Sequence, residues 1–284
     1  MKGLLRPGID GVVMHSYVTT GVSIPSSSYG SYQYDQQGQA VWMAYPPLTA
    51  ADVPVMLGTP FTTVASLAAK IAAEVPTGLP VWITEYNLLF NAATHPDVTA
   101  FGTWAHGLFV ALETVLYLQQ SSITSGRVTK HCLYGLAYAG ALFQNEKSFD
   151  FEMSPDASLA TTPYHPSATG LIAGLIGNVT GGMASVTALN VSSAARIVID
   201  PETNYPSVVG VHLTGGGTSS GIIINLANES VRVGVGDTFR SFRQLSVADA
   251  TTAINNVQQQ VTTNTGPVTH ELLLDAYSVT ALFG

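Results

Sequence analysis

The stretch that most restricts how this chain can fold is Pro80-Val81-Trp82-Ile83-Thr84-Glu85-Tyr86-Asn87, an apolar, β-branched run that stops on a carboxylate. Proline opens a strand but does not sit inside one, and Val81 to Thr84 favour the pleated conformation. Glu85 falls where the run turns polar, which puts a carboxylate at the strand's C-terminal end. A solvated Glu beginning a loop is the alternative reading, since the bias against burying Glu acts only inside the strand. A second short strand, Ile9-Asp10-Gly11-Val12-Val13-Met14-His15-Ser16-Tyr17, also ends in polar groups, and a spacing of two puts His15 and Tyr17 on one face.

Between these strands, Thr59-Pro60 pairs an N-cap residue with proline at the first helical position, and Val64, Leu67, Ala68, Ile71 and Val75 recur at helical spacing. Pro76-Thr77-Gly78 then returns the chain to the Glu85 strand. This order predicts a βαβ unit with parallel strands, whose C-terminal ends are where such sheets build their sites. Beyond Asn87, Phe101, Trp104, Ala105, Leu108, Leu112, Val115 and Leu116 form the stripe of a second helix. His106 and Glu113 lie off that stripe and are expected to face solvent or neighbouring helices. Val128 to Tyr138 reads as a third strand, and its Cys132 as a buried free thiol. Pro166 to Gly177 predicts a last helix.

From Ala184 the pattern changes to short β-rich runs split by turn signals such as Asp200-Pro201, Gly215-Gly216-Gly217 and Gly236-Asp237, the pattern of a β-sandwich. The division is expected at 1–182 and 183–284. Hydrophobic residues make up 46% and charged residues only 10%, which excludes a disordered chain. A net charge of −8 without any Lys/Arg cluster argues against a nucleic-acid partner. Neither G-x-S-x-G nor a zinc-ligand spacing occurs, so no metal or other cofactor is expected. Met1 to Pro7 lacks the apolar core of a secretory signal, and no run of about eighteen apolar residues suggests a membrane span. Asn178, Asn190 and Asn228 stand in glycosylation sequons.

His15-Ser16-Tyr17 and Thr84-Glu85-Tyr86-Asn87 resemble strands six and seven of the barrel in retaining glycoside hydrolases with two catalytic glutamates, the α-L-arabinofuranosidase-like members in particular. The closing Leu274 to Leu282 resembles the final strand of the sandwich that follows that barrel, with Ala276 in place of the usual proline. The resemblance implies an α/β plus all-β chain: a partial (β/α)8 barrel, strands six to eight with their helices, and a C-terminal β-sandwich. It implies Glu85 as nucleophile, Tyr17 as hydrogen-bond donor to it, His15 on sugar hydroxyls and Asn87 on substrate. Asn145-Glu146 is similar to the pair that carries the family's acid/base, yet it follows Glu85 where the family's pair precedes the nucleophile. Glu146 is therefore expected to line the cleft without acting as the acid. The polar, aromatic loop Val18 to Leu48 is expected to wall the same cleft.

Strands one to five and the acid/base have no counterpart, so the expectation is a fragment truncated at its N-terminus, inactive alone. One sheet edge and much apolar helix surface would lie open to a partner supplying the missing strands. The implied ligand is an oligo- or polysaccharide met in an extracellular, secretory or lysosome-like setting, with neither nucleic acid nor membrane as partner. The alternative is a carbohydrate-binding or structural remnant without catalysis.

Overall fold

The computed structural model describes residues 9–19, 21–22, 32–34, 40–42, 48–88, 100, 102–123, 128–133, 142–144, 164–189, 191, 195–254 and 257–284. The first part contains β1 (Val12–Val18), β2 (Tyr32–Tyr34), β3 (Ala40–Trp42), α1 (Asp52–Glu74), β4 (Val81–Leu88), α2 (Trp104–Ile123) and β5 (Val128–Leu133). Then come β6 (Phe143–Gln144), β7 (His165–Pro166) and α3 (Ala168–Thr180). The remainder is β8 (Ser185–Ala188), β9 (Arg196–Val198), β10 (Asn204–Pro206), β11 (Val208–Gly215), β12 (Thr218–Asn225), β13 (Val231–Gly234) and β14 (Ser241–Ser246). It closes with α4 (Val257–Gln260), β15 (Thr262–Pro267), β16 (Glu271–Leu274) and β17 (Ser278–Phe283).

Strands β1, β4 and β5 form a three-stranded sheet in the order β1-β4-β5, parallel throughout. Parallel pairing needs a crossover, and α1 and α2 supply one each. The later residues build a six-stranded antiparallel sheet in the order β15-β14-β17-β12-β11-β8. Its sharpest reversal, between β11 and β12, uses Gly216 and Gly217, both at positive φ, as a two-residue loop needs if its twist is to match the strands.

Alternation assigns the two faces of this antiparallel sheet to different neighbours. Val209, Val211, Leu213, Ile222, Ile224 and Val279 point into the cluster that holds α2 and α3, whereas Val208, Ile223 and Leu282 pack with Val233, Leu272 and Leu274 of the β13–β16 ribbon. Helix α2 thus lies between two sheets, touching β4 and β5 on one side and β8, β11, β12 and β17 on the other. The Trp104 indole fastens it there by donating to the Tyr277 carbonyl at 2.6 Å. One apolar cluster therefore runs through both sides of the expected 182/183 division.

This layering corrects several expectations. Of the two settings expected for His106 and Glu113, solvent is excluded: both are fully buried, because α2 is packed between two sheets and against α1 and α3. The apolar helix surface expected to lie open is, on α2, covered by the second sheet. Cys132 is exposed, since β5 is an edge strand of the parallel sheet and its outer residues are left bare. Helix α1 begins at Asp52, not beside Pro60, which sits inside it. The start signal is an acidic one: the Thr49 amide and hydroxyl donate to the Asp52 carboxylate at 2.8 and 2.6 Å. Thr59 turns its hydroxyl back onto the Val55 carbonyl at 3.1 Å instead of capping. By length and composition α1 passes as a membrane span, but Val53, Met56, Leu57, Val64 and Ile71 are buried in the core.

Candidate functional site

The parallel sheet has one face against the helices and one face open. In β1, Val12, Met14, Ser16 and Val18 are buried, while Val13 and His15 are 54% and 51% exposed, with Tyr17 between these extremes. The register of β4 against β1 slips at one point: Met14 faces Ile83, but His15 faces Glu85, so Thr84 is taken up as a bulge. A bulge moves every following residue to the other face. Unbulged, the alternation set by buried Val81 and Ile83 would aim Glu85 at the helices. The slip carries it to the face of His15 and Tyr17.

There Tyr17 donates its hydroxyl to Glu85 Oε2 at 2.5 Å, a length typical of an O–H···O⁻ bond. His15 Nδ1 stands 3.4 Å from the same oxygen. With Glu85 33% exposed and His15 half exposed, the second contact contributes well under about 1 kcal/mol. Both contacts fall on Oε2, leaving Oε1 without a protein partner among the described residues. The edge of His15 meets Tyr17 at a ring separation of 6.5 Å, which fixes their relative orientation. Farther back on the open face, Lys130 Nζ lies 5.6 Å from the centre of the Trp82 ring.

Beneath the site is a polar layer that side-chain spacing did not disclose. Ser16, between His15 and Tyr17, accepts a hydrogen bond from Tyr117 of α2 at 2.5 Å. Tyr86, next to Glu85, shares a 2.8 Å hydrogen bond with Thr114. The rings of Tyr86, Tyr117 and His131 meet at 5.8–6.1 Å. Burial raises both tyrosine pKa values and lowers those of His106 and His131 to about 3 and about 4. The same cause keeps Glu113 protonated well above the ordinary carboxylic range. Burial thus favours the neutral form of every one of these groups, and their hydrogen bonds hold β1 and β4 against α2.

Of the residues singled out in the sequence, the structure brings Glu85, Tyr17 and His15 together. Asn87 pairs with Tyr17 in the register but is not exposed beside it. It is 3% exposed, and its side-chain oxygen is engaged by the Leu88 amide at 2.8 Å and His106 Nε2 at 2.7 Å. Glu146 lies outside the described residues, as does most of the 18–48 loop apart from its ends and the β2–β3 ribbon. Among the described residues no three His, Cys, Asp or Glu side chains gather as a metal site would require.

No family model and no curated protein matches the chain. Solved structures do. A GH51 arabinofuranosidase from Xanthomonas axonopodis pv. citri superposes with a TM-score of 0.62 at 15% identity, over 97% of this chain and 52% of that one. A family 51 α-L-arabinofuranosidase from Bifidobacterium longum gives 0.61 at 12%, over 83% and 50%. The α-L-arabinofuranosidase from Thermotoga maritima gives 0.53 at 13%, over 97% and 52%. The chain has a glycoside hydrolase-like fold and spans about half the length of these structures.

Proposed function

We propose that this chain is the later part of a retaining glycoside hydrolase, with strands six to eight of a (β/α)8 barrel in β1, β4 and β5, a β-sandwich from about residue 183, and Glu85 as nucleophile. The observation that carries this reading is the Tyr17–Glu85 hydrogen bond at the C-terminal ends of two parallel strands, on an open face. Tyr17 binds Oε2 and so presents Oε1 to the anomeric carbon of an O-glycoside. Attack there breaks the bond to the leaving oxygen and forms a glycosyl ester on Glu85, which water later hydrolyses. His15, half exposed beside it, is placed to contact sugar hydroxyls. Asn87, from its buried position, holds His106 and the strand end instead of touching substrate.

Retaining hydrolysis also requires an acid about 5–5.5 Å from the nucleophile. Glu113 does not qualify, being buried in α2 on the helix side of the sheet. In this reading the acid/base is supplied by a preceding segment or a partner. An oligo- or polysaccharide outside the cell is the substrate in this reading.

An activated leaving group needs no acid, which makes the reading testable on this chain alone. Dinitrophenyl arabinofuranosides, xylosides and glucuronides should release one burst of dinitrophenolate and add one glycosyl mass to the peptide bearing Glu85. Glu85→Gln should abolish both. A burst surviving in E85Q, or folded wild type that labels with none of the glycosides, overturns the assignment.

A further inference from the structure

Away from Glu85, helix α3 and the β14–β15 ribbon enclose a cleft of about 370 Å³, within the range of small-ligand sites. Gly170, Leu171, Gly174, Leu175 and Asn178 line it from one face of α3. At Gly174 an added Cβ would meet nothing within 4 Å, so the helix surface is open there. Opposite stand Arg243 and Leu245, two apart on β14 and hence on one face, with Thr263 on β15.

Two side chains give this cleft a chemistry. Arg243 makes no hydrogen bond or ion pair among the described residues, unlike Arg232, whose guanidinium lies 3.8 Å from Glu271. Arg243 is solvent-exposed, so its guanidinium is open to a ligand. Phe143, on the β6–β7 ribbon at the mouth, leaves 41% of its surface exposed, and Tyr164, next to that ribbon, leaves 44%. Exposed aromatic faces carry negative charge density that suits the C–H face of a pyranose, and a guanidinium fork matches a carboxylate.

We infer that this cleft is a secondary saccharide site for an acidic sugar unit, the ring lying on Phe143 and its carboxylate on Arg243, with Asn178 and Thr263 bonding hydroxyls. The class of ligand rests on the carbohydrate reading above, but binding here is measured without turnover, so the two stand or fall separately. The site is about holding a glycan chain, not cleaving it.

Titrating the full chain with cellobiouronate, followed by amide chemical shifts, should perturb α3 and β14 and give a measurable affinity. Cellobiose, identical except for the carboxylate, should bind at least tenfold more weakly, and added salt should weaken cellobiouronate alone. Arg243→Gln should reduce the preference to parity, and Phe143→Ala should weaken both sugars. Gly174→Leu fills the cleft while adding a good helix former, so it should abolish binding in a protein that still unfolds cooperatively at the wild-type midpoint. Equal binding of the two sugars, full competition by acetate or inorganic phosphate, or cellobiouronate binding that survives G174L overturns the inference.

Discussion

Replacing Glu113 by Gln should change how the stability of this protein depends on pH. Glu113 is 0% exposed, neither carboxyl oxygen has a hydrogen-bond partner among the described residues, and burial raises its pKa well above 4.5. The folded chain therefore keeps a proton that the unfolded chain loses, and stability falls as pH rises above 4.5. The slope is about 1.4 kcal/mol per pH unit for as long as the folded carboxyl stays protonated. His106 and His131 act with the opposite sign. Burial lowers them from 6.5 to about 3 and about 4, so the unfolded chain takes up protons that the folded one refuses, and stability is lost as pH falls below 6.5.

Between about pH 7.5 and 8.5 both histidines are largely neutral in either state and the tyrosines are not yet ionised in the unfolded chain, so Glu113 is the buried group whose linkage remains. There the wild type should lose up to about 1.4 kcal/mol per unit, or roughly 2–4 °C in midpoint, relative to E113Q, which lacks this proton. Any fixed cost of burying the amide shifts the E113Q curve without tilting it. Urea unfolding of both proteins in half-unit steps between about pH 7.5 and 8.5 reads the difference directly. Parallel curves would refute the argument that Glu113 is buried as a neutral acid.

Three further substitutions test other joints of the structure. Tyr17→Phe removes the donor to Glu85 Oε2, and losing one charge-assisted bond of about 1.5–3 kcal/mol should slow glycosyl labelling about tenfold to a hundredfold with little change in unfolding midpoint. Trp104→Phe leaves the buried Tyr277 carbonyl unpaired and should cost about 1–3 kcal/mol by chemical denaturation; no loss would mean that α2 is not anchored to the second sheet through this bond. A Cβ at Gly58 would stand 2.3 Å from Ile199 Cδ1, so Gly58→Val should destabilise by about 1–3 kcal/mol. Ile199→Ala in the same chain should recover part of that loss, and strict additivity would deny the contact.

Much of this molecule is legible in residue order because local chemistry is read locally. Alternation placed His15 and Tyr17 on one face of β1, and helical spacing located α2 and α3 to within a few residues. Turn glycines marked the β11–β12 hairpin. Boundaries set by competing signals were harder. Pro60 is a good first helical residue in isolation, yet Thr49 and Asp52 start the helix earlier, and packing of the α1 stripe outweighs the amide hydrogen bond that proline forgoes.

What only the tertiary structure decided is which way side chains point and what covers them. The aim of Glu85 depends on the one-residue bulge at Thr84, a property of pairing between β1 and β4 and not of either strand alone. The burial of His106, which meets Asn87 of β4, and of Glu113 depends on strands, helices and a later sheet packing around α2, which no periodicity within the helix can encode. The exposure of Cys132 follows from β5 lying at the sheet's edge. Sequence determines the local preferences, since these involve neighbours along the chain. Faces and edges are settled only when distant segments meet, because burial is a relation between surfaces.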